Sequence, residues 1–92
     1  MTVDHMPEQR RFVARLPEGE AVLRYRMVGD RLMDIQSTLV PGAARGRGIG
    51  GSLVEAALAF AREKGYIVRP SCWYVETWVG QHPEHAGLLE GG

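Results

Sequence analysis

Pro41-Gly42-Ala43-Ala44-Arg45-Gly46-Arg47-Gly48-Ile49-Gly50-Gly51-Ser52 is the stretch on which the reading of this chain turns. Five of the chain's 12 glycines fall within its ten positions from Gly42 to Gly51. Before it, Arg31 to Val40 sets Met33, Ile35 and Leu39 against Asp34, Gln36 and Thr38, the period of a strand. After it, Ile49, Leu53, Ala56, Ala57, Phe60 and Ala61 recur at helical spacing, which predicts a helix from Gly48 to Lys64. Gly65 suits the residue just past its end, and Lys64 in its last turn suits the dipole. The loop therefore leaves a strand and opens a helix. The first amides of a helix lack internal acceptors and carry the positive end of its dipole. Glycines there let phosphate oxygens reach those amides, and Arg45 and Arg47 add charge, so the stretch is built for a diphosphate.

Three readings of the loop compete. In the first, the glycines serve only packing in a strand–helix connection. In the second, Gly46-x-Gly48-x-x-Gly51 is a dinucleotide fingerprint. That reading lacks the acidic residue expected after the next strand, where Ile67-Val68-Arg69-Pro70 stands instead, and two parallel strands are too few for a dinucleotide. In the third, Arg45-x-x-Gly48-x-Gly50 holds the diphosphate of coenzyme A, which suits the strands before it and their Val40-Pro41 ending.

Working outward, Arg10 to Leu16 and Ala21 to Val28 also alternate, separated by the turn signal Pro17-Glu18-Gly19-Glu20. Gly29-Asp30 makes the next tight turn, so three antiparallel strands form a meander. A short strand, Tyr66 to Arg69, follows the helix through a right-handed parallel crossover. Ser71 is placed to cap a second helix, Cys72 to His82, ahead of Pro83. The expected architecture is α/β: a three-strand meander, a β-α-β crossover and a C-terminal helix. One domain spans 1–92, with an ordered core of about 8–90 and frayed ends at the first nine residues and at Glu90, Gly91 and Gly92.

Charged residues make up 24% and apolar residues 45% of the 92, which fits a globular chain. Eleven basic and 11 acidic residues cancel, against the basic excess usual in nucleic-acid proteins. The longest apolar run, Ala56 to Ala61, is far short of a membrane span, and no secretory signal is read at the start. The expected setting is cytoplasmic, with neither membrane nor nucleic acid as partner. A single cysteine, Cys72, permits no intrachain disulfide, and the histidines His5, His82 and His85 show no metal spacing and read as surface groups.

Val40-Pro41 to Gly50 resembles motif A of the GNAT N-acetyltransferase superfamily. The similarity tightens on its short members through Arg10-Arg11-Phe12, Thr38-Leu39-Val40-Pro41, Arg45-Gly46-Arg47-Gly48-Ile49-Gly50, Pro70-Ser71-Cys72-Trp73-Tyr74-Val75 and His82-Pro83-Glu84. It covers residues 8 to 90. The resemblance implies that the strands on either side of the helix splay apart. It implies that acetyl-CoA lies between them, with its pantetheine arm on main-chain groups near Leu39 and Val40. The diphosphate then sits on the loop and helix start, from Arg45, Gly46, Arg47, Gly48, Ile49 and Gly50 on to Gly51 and Ser52. No metal is implied. The thioester is placed close to Cys72.

Cys72, expected in the first turn of the second helix, is a candidate for carrying or positioning the acetyl group; the bland alternative is a small buried apolar residue. Tyr74 is a candidate general acid for the leaving thiolate, against a tyrosine that merely packs. Trp73 and Trp78 read as packing residues. Members of the resembled family often carry histidine where Ser37 stands, and Tyr or Glu where Leu39 stands. Alternation puts Ser37 on the face of Met33, Ile35 and Leu39, so a histidine base is missing there, with Glu76 or water as replacements. Only about four residues, Pro17 to Glu20, join the first two strands, where full-size members place helices, so the acceptor side is expected to be open and suited to a protein or peptide amine. Together with the resemblance, these residues point to an acetyl-CoA-dependent N-acetyltransferase acting on an amine by direct attack, with an acetyl-cysteine route as alternative chemistry. The rival is a non-catalytic coenzyme A-binding or protein-interaction module, and a weaker one is RNA binding through Arg45 to Gly48.

Overall fold

A computed structural model describes residues 2–91; Met1 and Gly92, both inside the ends expected to fray, lie outside the described residues. The strands are β1 (Val3–Met6), β2 (Arg11–Leu16), β3 (Gly19–Val28), β4 (Leu32–Leu39) and β5 (Ile67–Pro70). The helices are α1 (Ile49–Lys64), between β4 and β5, and α2 (Trp73–Gln81), after β5. One sheet has the order β1-β2-β3-β4-β5, antiparallel as far as β4 and parallel between β4 and β5. The crossover and the C-terminal helix stand as read from the sequence.

The meander has four strands rather than three, because Val3–Met6 is not frayed but pairs with β2. His5 is what pins it. Its ring stacks on Phe12 at 4.2 Å, lies beside Phe60, and shares a 2.6 Å hydrogen bond with the Tyr25 hydroxyl. Glu90 at the other end is held too: its N–H donates to the Val68 carbonyl at 2.8 Å, and its carboxylate takes both Arg69 nitrogens. The surface reading of the histidines is likewise corrected. All three are half-buried, and His82 stacks on Trp78 at 3.8 Å while donating from Nδ1 to the Trp78 carbonyl.

The core lies on one side of the sheet. Phe12, Ala14, Leu23, Tyr25, Met33, Ile35 and Val68 meet Leu53, Val54, Ala57, Leu58 and Ala61 of α1 and Val75, Trp78 and Val79 of α2. The alternate positions, among them Arg11, Arg15, Arg24 and Arg26, form a face that no described helix covers.

A bulge changes the end of β4. Its register against β3 passes from Tyr25↔Ile35 to Arg24↔Ser37, so Gln36 is the extra residue. Beyond it the alternation inverts. Thr38 pairs with Leu23 on the helix side, while Ser37 and Leu39 pair with Arg24 and Val22 on the uncovered side. Ser37 therefore does not share the face of Met33 and Ile35, and a histidine at that position would point away from the helices.

Asp34 joins β4 to the start of α2. It is 3% exposed, and accepts from Ser71 Oγ at 2.5 Å and from Arg26 Nε at 3.1 Å. Ser71 is thus engaged by Asp34 instead of capping α2; Cys72 holds the N-cap position and no side chain caps the helix. Burial pushes the Asp34 carboxyl up, but the bonds from Ser71 and Arg26 and the charges of Arg26 and Arg69 outweigh it, so it titrates below the usual carboxylate range. Asp34→Ala is expected to cost about 2–3 kcal/mol at neutral pH in urea denaturation, since it strands Ser71 and one side of Arg26. A lowered folded-state pKa contributes stability that is present above the unfolded value and is lost as pH falls through the folded one. The gap between the two proteins should therefore close in acid.

Candidate functional site

Parallel pairing of β4 with β5 ends at Ile35↔Pro70, yet β4 runs on to Leu39. The chain after Pro70 turns into α2, whose N-cap residue Cys72 donates its N–H to the Ile35 carbonyl at 3.0 Å. The wedge between the end of β4 and the start of α2 is a cleft of about 520 Å³. Thr38, Leu39 and Val40 form one wall, and Trp73 and Tyr74 the other. Ala44, Arg45, Gly46, Gly48, Ile49 and Gly50 close the end.

The loop reaches this position through two glycines. Gly46 (φ 85) and Gly48 (φ 75) are left-handed, a conformation other residues adopt only with strain, and the space beside each is open. Gly48 is the N-cap of α1, with no side-chain cap and no acidic residue in the first turn. Ser52 is the first residue whose N–H closes onto the helix, at 3.0 Å from the Gly48 carbonyl. The amides of Ile49, Gly50 and Gly51 are therefore left without helical acceptors at the positive end of a 16-residue helix. Arg45 lines the same space, its Nε donating to the Val40 carbonyl at 3.4 Å. These groups fit an anionic, phosphate-bearing ligand.

Of the residues expected to hold coenzyme, Leu39, Val40, Arg45, Gly46, Gly48, Ile49 and Gly50 line the cleft, whereas Arg47, Gly51 and Ser52 do not. Arg47 is turned toward the β2–β3 turn, where it binds Glu18 at 2.7 Å, and that bond holds the Glu18 carboxyl below its usual range. Ser52 Oγ donates to the Gly48 carbonyl. Gly51 lies under Trp78: a Cβ there would stand 2.8 Å from the indole Nε1. Gly50 is as constrained, for its Cβ would stand 2.8 Å from Tyr74 Oη. The packing reading of the glycines thus describes Gly50 and Gly51, and the loop reading describes Gly46 and Gly48.

Tyr74 faces the cleft, and its hydroxyl has no hydrogen-bond partner among the described residues. Cys72 is 6% exposed, is not part of the cleft lining, and its thiol lies 3.7 Å from Thr38 Oγ1. Glu76 is exposed on α2 and also outside the lining. Trp78 packs as expected, but Trp73 does not; it is 75% exposed at the rim of the cleft. Thr38, Ala44 and Trp73 are the lining residues that sequence reasoning passed over. All three sit inside quoted stretches, so the signal was position beside Leu39, Arg45 and Tyr74.

Residues 11–88 match the model of a family described as GCN5-related N-acetyl-transferase. Proteins called Protein NATD1 from Gallus gallus and Homo sapiens are each 42% identical over 83 residues, covering 88% of this chain and 76% and 74% of theirs. The Protein NATD1 of Danio rerio is 38% identical over 92 residues, covering 98% of this chain and 83% of its own.

The contact between Gly50 and Tyr74 can be measured apart from any activity. Gly50→Ala should cost about 1–3 kcal/mol in thermal or urea unfolding, because the rigid phenol must move. In a Tyr74→Ala background the same change should be neutral or mildly stabilising, since alanine is the better helix former. Equal costs in both backgrounds would refute the contact.

Proposed function

We propose that this chain, which belongs to the GCN5-related N-acetyltransferase family, binds acetyl-CoA in the cleft and transfers its acetyl group to an amine. The observation that carries this reading is the uncapped start of α1 beside the end of β4, whose outer edge β5 leaves unpaired beyond Ile35. The free amides of Ile49 and Gly50, which line the cleft, and the Arg45 guanidinium would hold the diphosphate. β5 leaves the edge of β4 open beyond Ile35, so main-chain groups near Leu39 would meet the pantetheine arm, and the Val40 carbonyl, which Arg45 Nε reaches at 3.4 Å, would join them once Arg45 turns to the diphosphate. When bound, the coenzyme supplies an acetyl thioester for direct attack by the amine. Tyr74 Oη, beside Gly50 and without a hydrogen-bond partner among the described residues, would hold the proton for the leaving sulfur. Cys72 acts by positioning: its N–H fixes α2 on β4, and its thiol supports Thr38. Its burial favours direct attack over an acetyl-cysteine route.

One observation favours a second reading, coenzyme binding without turnover. The cleft lining holds no carboxylate or imidazole to act as base. The two readings share their binding prediction and part on turnover.

Gly48→Glu should weaken acetyl-CoA binding at least tenfold in calorimetry, by about 1.4 kcal/mol or more. Gly48→Ala carries the same left-handed strain without the charge and is expected to lose less. Unchanged affinity in Gly48→Glu would remove the site. With an amine acceptor on which the protein turns over, Tyr74→Phe should lower kcat by about 10²-fold or more with little change in acetyl-CoA affinity, the scale of lost general-acid help. Cys72→Ala should keep most of its turnover, and the intact mass after incubation with acetyl-CoA should show no acetyl on Cys72; a covalent acetyl there would restore the acetyl-cysteine route.

A further inference from the structure

The sheet face away from the helices carries a charge arrangement that the coenzyme site does not use. Arg15 is held there by Asp4 at 2.6 Å and Glu20 at 3.5 Å, and Arg26 by Asp34 at 3.1 Å. Arg11 and Arg24 stand directly opposite each other on β2 and β3, and neither meets a carboxylate among the described residues. Arg11 reaches the side-chain oxygen of Gln9 through one terminal nitrogen, while its Nε is buried without any partner. Like charges directly across a strand pair oppose stability, and a buried donor left unpaired opposes it further. An anion docked on the outer nitrogens of the two guanidiniums relieves the repulsion, while the buried Nε lies beneath them.

The position of the pair says what the anion belongs to. Arg24 pairs across to Ser37, and Val22, two residues back along β3, pairs to Leu39. Leu39 is 61% exposed and lines the cleft, as does Thr38, which points to the opposite side of the sheet. The cleft therefore reaches the free edge of the sheet at Leu39, whose side chain lies on the arginine face. Arg24 lies two residues along the strand, about 7 Å, and one strand across, about 5 Å, from Leu39, and Arg11 lies one strand further.

We infer that Arg11 and Arg24 form a carboxylate subsite for the acceptor, so that the preferred acceptor is an acidic peptide with Asp or Glu within about three residues of the reacting amine. The inference rests on the acetyltransferase reading for the direction in which the peptide lies. Charge favours a peptide over a nucleic acid. The unneutralised cations on this face are two neighbours, the carboxylates of Asp4, Glu20 and Asp34 flank them, and the chain's formal net charge is zero. An extended polyanion needs a longer basic track.

The test reads binding, not turnover. A fluorescein-labelled peptide carrying lysine with glutamates two and three residues away is compared, by anisotropy, with its glutamine counterpart, using the full chain saturated with coenzyme A. The glutamate peptide is expected to bind about tenfold tighter, the size of one charge-assisted hydrogen bond, with the margin shrinking in higher salt. Arg24→Gln should erase the margin, and Arg24→Glu should reverse it toward a peptide with lysines in place of the glutamates. Arg24 is exposed, so folding is not at stake; relief of its repulsion with Arg11 should hold or raise the Tm of Arg24→Gln. Equal binding of the glutamate and glutamine peptides overturns the inference, as does a margin that survives Arg24→Glu or stronger competition by a single-stranded RNA oligonucleotide. Acetyl-CoA calorimetry on the same variants separates this from the coenzyme reading: Arg24→Glu should stay within about twofold of the parent there.

Discussion

Strand β4 outruns its parallel partner, and everything functional in the molecule is arranged around that excess. Pairing with β5 stops at Pro70, which has no N–H to continue a ladder. One further bond, from the Cys72 N–H to the Ile35 carbonyl, anchors α2 and turns the chain away. The bulge at Gln36 falls at the same level. It brings Thr38 to the helix side and sends Leu39 outward, so the free end of β4 offers side chains to both sides of one opening. A β5 long enough to pair as far as Leu39 would satisfy those backbone groups and leave no cleft.

The helix start opposite this opening is shaped by two demands that fall on different glycines. Gly46 and Gly48 supply left-handed turns that leave the first amides of α1 uncapped. Gly50 and Gly51 supply space, so that Tyr74 and Trp78 can rest on the helix itself. The second demand serves the first, because α2 is short and has no side-chain cap of its own. Its orientation depends on Trp78 buried against Gly51, on Asp34 gripping Ser71, and on the stacked His82. With α2 seated in this way, Tyr74 reaches the cleft without depending on a flexible loop.

Much of this is legible in the chain, and the parts that are not have a common cause. The β4 alternation, the α1 period and the glycine loop are local patterns, and local patterns specify local backbone. The bulge is a one-residue slip with no compositional mark, so a strict period of two carries Ser37 to the wrong face. His5 and Glu90 lie in polar terminal stretches, and only distant partners, Phe12 and Tyr25 for one, Val68 and Arg69 for the other, order them. Trp73 and Trp78 differ by five positions on one helix, which places them on opposite sides; the larger apolar area of tryptophan suggests burial for both, but α1 has room for only one. Ser71 looked like a cap because no sequence pattern reveals a buried Asp34 within reach.

The hairpin turn between β2 and β3 shows how so short a chain divides its duties. Two residues, Pro17 and Glu18, separate those strands, too few to build any wall beside the acceptor. Glu18 is instead bound to Arg47, which ties the turn to the glycine loop from outside the cleft. In the proposed reading the coenzyme side thereby gains a brace, and the acceptor side is left as bare sheet. Selectivity on a bare sheet cannot come from enclosure, since no pocket surrounds the acceptor. It must come from fixed charges presented by rigid strands. Arg11 and Arg24, adjacent across paired β2 and β3 and meeting no carboxylate among the described residues, are the charges that the inferred peptide subsite uses.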